Sequence, residues 1–239
     1  MEILAIIPVR GGSKGIPGKN IKMLAGKPLL AYTVDAALNS KYINRTIVST
    51  EDRNIKKISQ ELGAEVLERP IELAQDETKT APVLLHVLQE LEAKDNYIPD
   101  VVILLQATCP LRNTKELNEA IELFLNNTNK GIDSVFAAKK IGLTHSKWRK
   151  SPSGEKEHHY ECLFDYRNRP RRQDIEKHFE MFQETGATYI IKTDVMKKVK
   201  DFIGEKPELY LDGSFGDIDT EEDFKTTEKI IIARQKENL

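Results

Sequence analysis

Short apolar runs alternate along the chain with stretches whose apolar residues recur at helical spacing. The runs Ile3 to Pro8, Arg45 to Thr50, Asp100 to Leu105, Ser134 to Ala138 and Ala187 to Ile191 read as strands, and residues 28–39, 52–62, 79–94 and 114–126 read as helices. This alternation predicts an α/β fold, a mostly parallel sheet covered by helices on both faces. From about Lys139 to Glu184 the alternation stops, giving way to Gly, Ser, Pro, paired histidines and a dense Arg cluster. A structureless stretch of that length is improbable inside a compact domain, so strands or a short helix are expected there, packing on another protomer. Near the C-terminus, Asp217 to Asp223 leads into an amphipathic helix reaching about Gln235, with Thr220 as N-cap and Asp223 at the capping-box position.

The first apolar run opens into Arg10-Gly11-Gly12-Ser13-Lys14-Gly15-Ile16-Pro17-Gly18-Lys19-Asn20. Glycines let a backbone approach a ligand closely with its N–H groups exposed, and Arg10, Lys14 and Lys19 add cations, so a polyanion is the natural guest. The loop fits neither common nucleotide pattern. Ser13 and Asn20 stand where the P-loop has Gly and Ser/Thr, and G-x-G-x-x-G is absent. Pro17 keeps a helix from starting tightly on the strand, so turns and extended backbone are expected until Pro28 opens the helix to Leu38. A merely solvated turn would rarely carry so many glycines and cations together.

Charge narrows the guest further. The 36 Lys and Arg are balanced by 38 Asp and Glu, a formal net charge of −2, which argues against general nucleic-acid binding and for a local site taking a small anion. No window approaches the length of an apolar membrane span, and Met1 to Pro8 is too short for a signal peptide, so no membrane association and a cytoplasmic location are expected. Cys109 and Cys162 lie far apart and read as reduced thiols without a catalytic role.

Other groups converge on the carboxyl ends of strands, where open α/β sheets bind ligands. Gln106 and Arg112 follow the third run and can share the cleft with the glycine loop. Gln106 would meet a nucleobase edge or ribose, or backbone partners. Asp217 and Asp219, two apart, project to one face of an extended segment and suit a shared Mg²⁺, unless both merely favour the positive end of the following helix. Glu221, Glu222 and Asp223 lie inside that helix's first turn and read as solvated. Arg69 would bridge phosphate oxygens or be neutralised at the surface by Glu72 or Asp76. Thr80 would reach phosphate or cap a helix. The run Arg167 to Asp174, with four Arg in six positions, calls for anions, a ligand carboxylate more than a nucleic acid because aromatics are lacking. His158-His159 is too isolated for zinc.

Together, the loop Arg10 to Asn20, Arg69-Pro70 with Leu73-Ala74 and Asp76, Gln106 through Arg112, Arg169 to Asp174, Gly186 to Ile190 and Asp217 to Thr220 resemble the acylneuraminate cytidylyltransferases, or CMP-sialic acid synthetases, over nearly the whole chain. The resemblance implies a Rossmann-like nucleotidyltransferase fold and a homodimer with a swapped arm at residues 139–184. The implied reaction transfers CMP from CTP to a nine-carbon 2-keto sugar acid, releasing pyrophosphate. By that similarity Arg10, Ser13, Lys14, Lys19 and Asn20 hold the triphosphate and cytidine, and Arg69, Thr80 and Gln106 complete the nucleotide site. Arg172 meets the sugar carboxylate, with Tyr189 and Gln106 lining the sugar pocket. Asp217 and Asp219 carry Mg²⁺, and Lys19, Arg10 and Asp219 are the catalytic groups. Val9, Ala107 and Cys109 depart from the family's usual Ala, Pro and Ser. Thr185, in place of Asn, and the divergent stretch Thr144 to Asp165 border the sugar pocket, leaving neuraminic, legionaminic and related acids open. A synthetase for the eight-carbon acid Kdo and a silent nucleotide-binding module are the rival readings.

Overall fold

A computed structural model describes residues 1–13, 15–141, 148–150, 160–162, 181–213 and 216–237. Lys14, His158-His159 and the run Arg167 to Asp174, which includes Arg172, lie outside the described residues.

In chain order the elements are β1 (Ile3–Pro8), a 3-10 turn (Lys19–Ile21), β2 (Met23–Leu24), β3 (Lys27–Pro28), α1 (Leu29–Leu38), β4 (Arg45–Thr50), α2 (Arg53–Glu61), β5 (Glu65–Glu68), a 3-10 turn (Ile71–Ala74), α3 (Thr80–Asp95), β6 (Val101–Leu105) and α4 (Thr114–Asn127). After a further 3-10 turn (Thr128–Lys130) come β7 (Ser134–Ile141), β8 (Trp148–Lys150), β9 (Tyr160–Cys162), β10 (Met181–Lys192), α5 (Thr193–Val199), β11 (Pro207–Leu211) and α6 (Glu221–Glu237). The main sheet runs β11-β7-β10-β6-β1-β4-β5. Strand β1 pairs in parallel with β4 and β6, β4 with β5 and β7 with β11, while β10 runs antiparallel to β6. The sheet is therefore α/β and mostly parallel, as the alternation predicts.

Alternate side chains of β1 enter two separate cores, which is why its run lacks a polar face. Ile3, Ala5 and Ile7 pack with Leu30 and Val34 of α1 and Leu117, Ile121 and Phe124 of α4. Leu4 and Ile6 pack with Leu84, Val87 and Leu88 of α3 and Met196 of α5. A third cluster lies outside the sheet and positions the site. Ile16 of the glycine loop packs with Leu24, Leu29, Leu111, Ile218 and, from α6, Phe224 and Ile231.

The chain divides into two compact units, Met1–Ala138 with Glu184–Leu239, and Lys139–Gln183. Within the second, β8 and β9 pair antiparallel, Trp148 opposite Cys162. Several elements differ from the sequence reading. The helix expected from Pro28 starts at Leu29, because Pro28 closes the β2–β3 hairpin and serves as N-cap. The hairpin, β5, α5 and β11 were not foreseen, and β10 extends well before Ala187.

Candidate active site

The main strand order reverses beside β1. The chain leaves β1 through α1 to β4 and β5 on one side, then returns through α3 to β6 on the other. Loops following β1 and β6 diverge there, and such a switch point opens a crevice at the strands' carboxyl ends. A cleft of about 450 Å³ occupies it, lined by Arg10, Ser13, Lys19, Asn20, Arg69, Thr80, Gln106 and Asp219, with Leu73, Asp76 and Thr108 among their neighbours.

Three contacts fix the glycine loop. The Gly11 N–H donates to Glu51 Oε1 at 2.7 Å, and the Asn20 side-chain amide donates to the Arg10 carbonyl at 3.1 Å. Buried Ile16 anchors the middle of the loop. Gly18, at φ +62°, opens the 3-10 turn that carries Lys19, a backbone region easiest for glycine. At Gly15 the loop touches the acidic segment so closely that a Cβ would lie 2.5 Å from the Asp219 carbonyl oxygen.

The acidic segment owes its geometry to Ile218, which is fully buried and whose N–H donates to the Thr108 carbonyl at 3.0 Å. Its neighbours Asp217 and Asp219 turn to the other side, as two-residue spacing in extended backbone requires; both are exposed as whole residues, though the Asp217 carboxyl is partly desolvated. The Lys19 ammonium donates to the Ile218 carbonyl and pairs with Asp219 Oδ1 at 3.3 Å. Burial of its carboxyl raises the pKa of Asp217; Thr108 hydrogen bonding and Lys19 oppose this, and Asp219 and Asp223 add to it. Two carboxylates held near one another with their charges in conflict form a donor set that suits a hard cation. Among the described residues no group of three or more His, Cys, Asp and Glu is placed to hold a metal ion, so a bound cation would need ligand or water oxygens beside these two.

Arg69 is buried, its guanidinium donating to the Ser49 carbonyl at 2.6 Å and the Ser49 hydroxyl at 3.3 Å. Desolvation lowers its pKa, Glu51 opposes that and Arg10 adds to it. Neutralisation of Arg69 by Glu72 or Asp76 at the surface is therefore not what the structure shows. Asp76 instead pairs with Arg10 at 2.6 Å. Thr80 sits at the first position of α3 facing the cleft. Gln106 leans against Gly186, where a Cβ would lie 3.4 Å from its Oε1.

Two expected groups stand elsewhere. Arg112 does not share the cleft. It is buried behind the loop that follows β6, where its guanidinium donates to the Ala187 carbonyl, the Thr33 hydroxyl at 2.8 Å and the Gln106 carbonyl at 3.4 Å. Burial pushes its pKa down to about 10. It is a strut, and Arg112→Met is expected to cost about 3 kcal/mol in chemical denaturation by orphaning those buried acceptors. Tyr189 packs in the second core, edge-on to Phe202 at 4.7 Å between centroids, with its hydroxyl donating to Glu184 at 3.0 Å. It is not among the residues that line the cleft. Thr220 and Asp223 form the expected reciprocal cap at 2.8 and 3.2 Å, whereas Glu221 pairs with Lys22 at 2.7 Å. The Cys109 thiol is buried and pushed up to about 12 by desolvation, which leaves it inert. Glu51 and Thr108 lie in strand-end segments that the sequence marks as able to carry ligand groups, though neither residue stands out there by itself. Each stands just past the carboxyl end of a strand, the one signal that marked them.

A family model described as cytidylyltransferase matches residues 4–238. The chain belongs to the cytidylyltransferase family. Among its relatives is N-acylneuraminate cytidylyltransferase A of Danio rerio, 33% identical over 242 residues that cover 97% of this chain and 51% of the relative. N-acylneuraminate cytidylyltransferase of Oncorhynchus mykiss is 37% identical over 79% of this chain and 41% of its own length. CMP-N,N'-diacetyllegionaminic acid synthase of Legionella pneumophila is 33% identical over 99% of both chains. The chain thus spans about half the length of the first two and nearly all of the third. A solved CMP:2-keto-3-deoxy-manno-octonic acid synthetase complexed with CTP shares its fold, with a TM-score of 0.70 at 15% identity over 98% of this chain and all of that one. No helix among the described residues of this family member is long and apolar enough to cross a membrane.

Proposed function

We propose that the protein transfers CMP from CTP to the anomeric hydroxyl of a nine-carbon 2-keto sugar acid and releases pyrophosphate. One observation carries the reading. Lys19 of the glycine loop meets Asp219 at 3.3 Å across a cleft whose other wall holds Arg69 and Thr80, so cations for a triphosphate and a carboxylate for a hydroxyl proton share one space.

Nucleotide and sugar acid are both anions, and their approach requires compensating charge. Arg10, Lys19 and Arg69 supply it from the described cleft, with Ser13, Asn20 and Thr80 as neutral donors and Gln106 facing the base or the sugar. Lys14, and Arg172 for the sugar carboxylate, complete the assignment. The anomeric oxygen attacks the α-phosphorus, the bond to the β-phosphate bridging oxygen breaks, and pyrophosphate leaves with that electron pair. Asp219 orients the hydroxyl and takes its proton. Phosphoryl-type transfer needs mainly positioning and charge stabilisation, which these side chains provide. Asp217 and Asp219 would hold Mg²⁺, which supplies Lewis-acid stabilisation of the phosphate oxygens when bound. We further assign the protein to a homodimer in which residues 139–184 reach the partner.

Relatives named for neuraminic and legionaminic acids at 33–37% identity favour a nonulosonic acid over Kdo, since the Kdo synthetase likeness at 15% speaks for fold alone. Pyrophosphate release with CTP, Mg²⁺ and a panel of 2-keto acids tests the proposal. Turnover with a nine-carbon acid supports it. Turnover with Kdo alone, or with UTP or ATP but not CTP, overturns it.

The metal assignment has a test independent of turnover. Because its pKa is raised, ionised Asp217 disfavours the folded state, and this penalty develops as pH rises from the ordinary carboxylate value through the raised one. Asp217→Asn is therefore expected to melt higher than wild type at neutral pH without metal. It should also lose the stabilisation that millimolar Mg²⁺ gives the wild type in the same thermal scan. An equal Mg²⁺ response in both proteins would place the ion elsewhere.

A further inference from the structure

The wall of the cleft opposite the glycine loop is the segment Pro70–Lys79, a 3-10 turn followed by irregular backbone. Its internal bonds are local: Leu73 N–H to the Pro70 carbonyl, Thr78 N–H to the Gln75 carbonyl, the Gln75 side-chain amide to the Ile71 carbonyl at 2.6 Å, and the Thr78 hydroxyl to the Glu72 carbonyl at 3.2 Å. Ile71 at its start is 60% exposed, so no core packing holds that turn. The Asp76 carboxylate joins the segment to the glycine loop, 2.6 Å from the Arg10 guanidinium and 66 positions away in sequence.

Arg10 thus pairs with an anion that belongs to the chain itself. We propose that Asp76 is a placeholder for a nucleotide phosphate. It positions Arg10 across the cleft and clasps Pro70–Lys79 onto the glycine loop until a polyphosphate takes the guanidinium. This rests on the cytidylyltransferase reading above and adds a positioning residue to it.

The exposure of the pair fits exchange. Arg10 and Asp76 side chains are 32% and 37% exposed, and a part-exposed ion pair contributes little to stability. A triphosphate carries more charge than one carboxylate, and Asp76 meets the guanidinium through a single nitrogen, so a phosphate taking it bidentately outcompetes the carboxylate. Gly11 gives the same pattern beside it, its N–H taken by the Glu51 carboxylate. The loop is preorganised around internal carboxylates, and the cost of releasing Arg10 from Asp76 is subtracted from nucleotide affinity.

Asp76→Asn keeps the shape and removes the charge. Calorimetric titration with CTP and, separately, with inorganic tripolyphosphate is expected to show each binding about two- to five-fold more tightly than in wild type, the scale of one exposed ion pair. Hydrogen exchange of residues 70–79 in the ligand-free variant should be faster than in wild type, and Asp76→Glu should restore both readouts. Weaker binding by Asp76→Asn, or unchanged affinity with unchanged exchange, would overturn the placeholder role while leaving the enzyme assignment intact. Should the variant fold poorly, Asp76→Ser offers the same comparison. If wild type binds tripolyphosphate but not CTP, the cytidine reading fails, and the tripolyphosphate arm still decides the role of Asp76. Binding of neither ligand to wild type overturns both.

Discussion

Lys19→Ala is expected to lower pyrophosphate release by on the order of 10²-fold or more, the usual effect of removing one donor aimed at developing negative charge. The side chain is only 12% exposed and is fixed at its tip by the Ile218 carbonyl and Asp219. Its ammonium therefore needs little reorganisation when charge builds on the leaving pyrophosphate. A folded protein is expected, because the hole left opens toward the cleft and not the core. Lys19→Arg should recover little, since a forked guanidinium does not fit where a point charge touches a carbonyl and a carboxylate at once. Steady-state release of pyrophosphate under saturating substrates reads the effect, and near-normal turnover by Lys19→Ala would remove Lys19 from the chemistry.

The second large effect belongs to a residue with no functional group. In Gly15→Ala the new methyl would sit 2.5 Å from the Asp219 carbonyl oxygen, a backbone atom that cannot rotate away. Loop and acidic segment must part, at about 1–3 kcal/mol of overpacking. Displacing Lys19 and Asp219 by even 1 Å from their working geometry is expected to cost about 10²-fold in turnover. Gly12→Ala is the control, because nothing lies within 4 Å of its Cβ position, and it should keep wild-type stability. Equal melting temperatures and equal turnover for Gly15→Ala and wild type would mean the two segments are not in functional contact.

How much of this was legible in sequence depended on burial. Strands β1 and β4 run over the residues their apolar runs mark, because nearly all their side chains are buried. The edge strands β5 and β11 bury only Leu67 fully, so pairing more than burial makes them strands. The antiparallel β10 runs through the polar residues Gln183 to Thr185 before its apolar run for the same reason. In the site, spacing was enough to put Asp217 and Asp219 on one face, since Ile218 between them turns inward. Direction was harder. Arg112 follows a strand's carboxyl end as a ligand group would, yet points back to the carbonyls of Ala187 and Gln106. Contacts such as Lys19 with Asp219, 200 positions apart, and Arg10 with Asp76 depend on how loops fold over the sheet. No local pattern encodes them. Arg69 shows the difference most plainly: in sequence it could bridge phosphate or be neutralised at the surface by its charged neighbours, whereas the strand end of β4 buries it on Ser49 beside the cleft.

The central claim is that one cleft gathers the glycine loop, Lys19 and the acidic pair around a nucleoside triphosphate. A crystal structure of the protein with CTP and Mn²⁺, the ion located by its anomalous signal, tests this most directly. The account predicts the triphosphate along Arg10 to Asn20, within hydrogen-bonding reach of Lys19 Nζ, and the ion between its oxygens and the carboxylates of Asp217 and Asp219. A nucleotide seated away from that loop, or an ion with neither aspartate among its ligands, would contradict it.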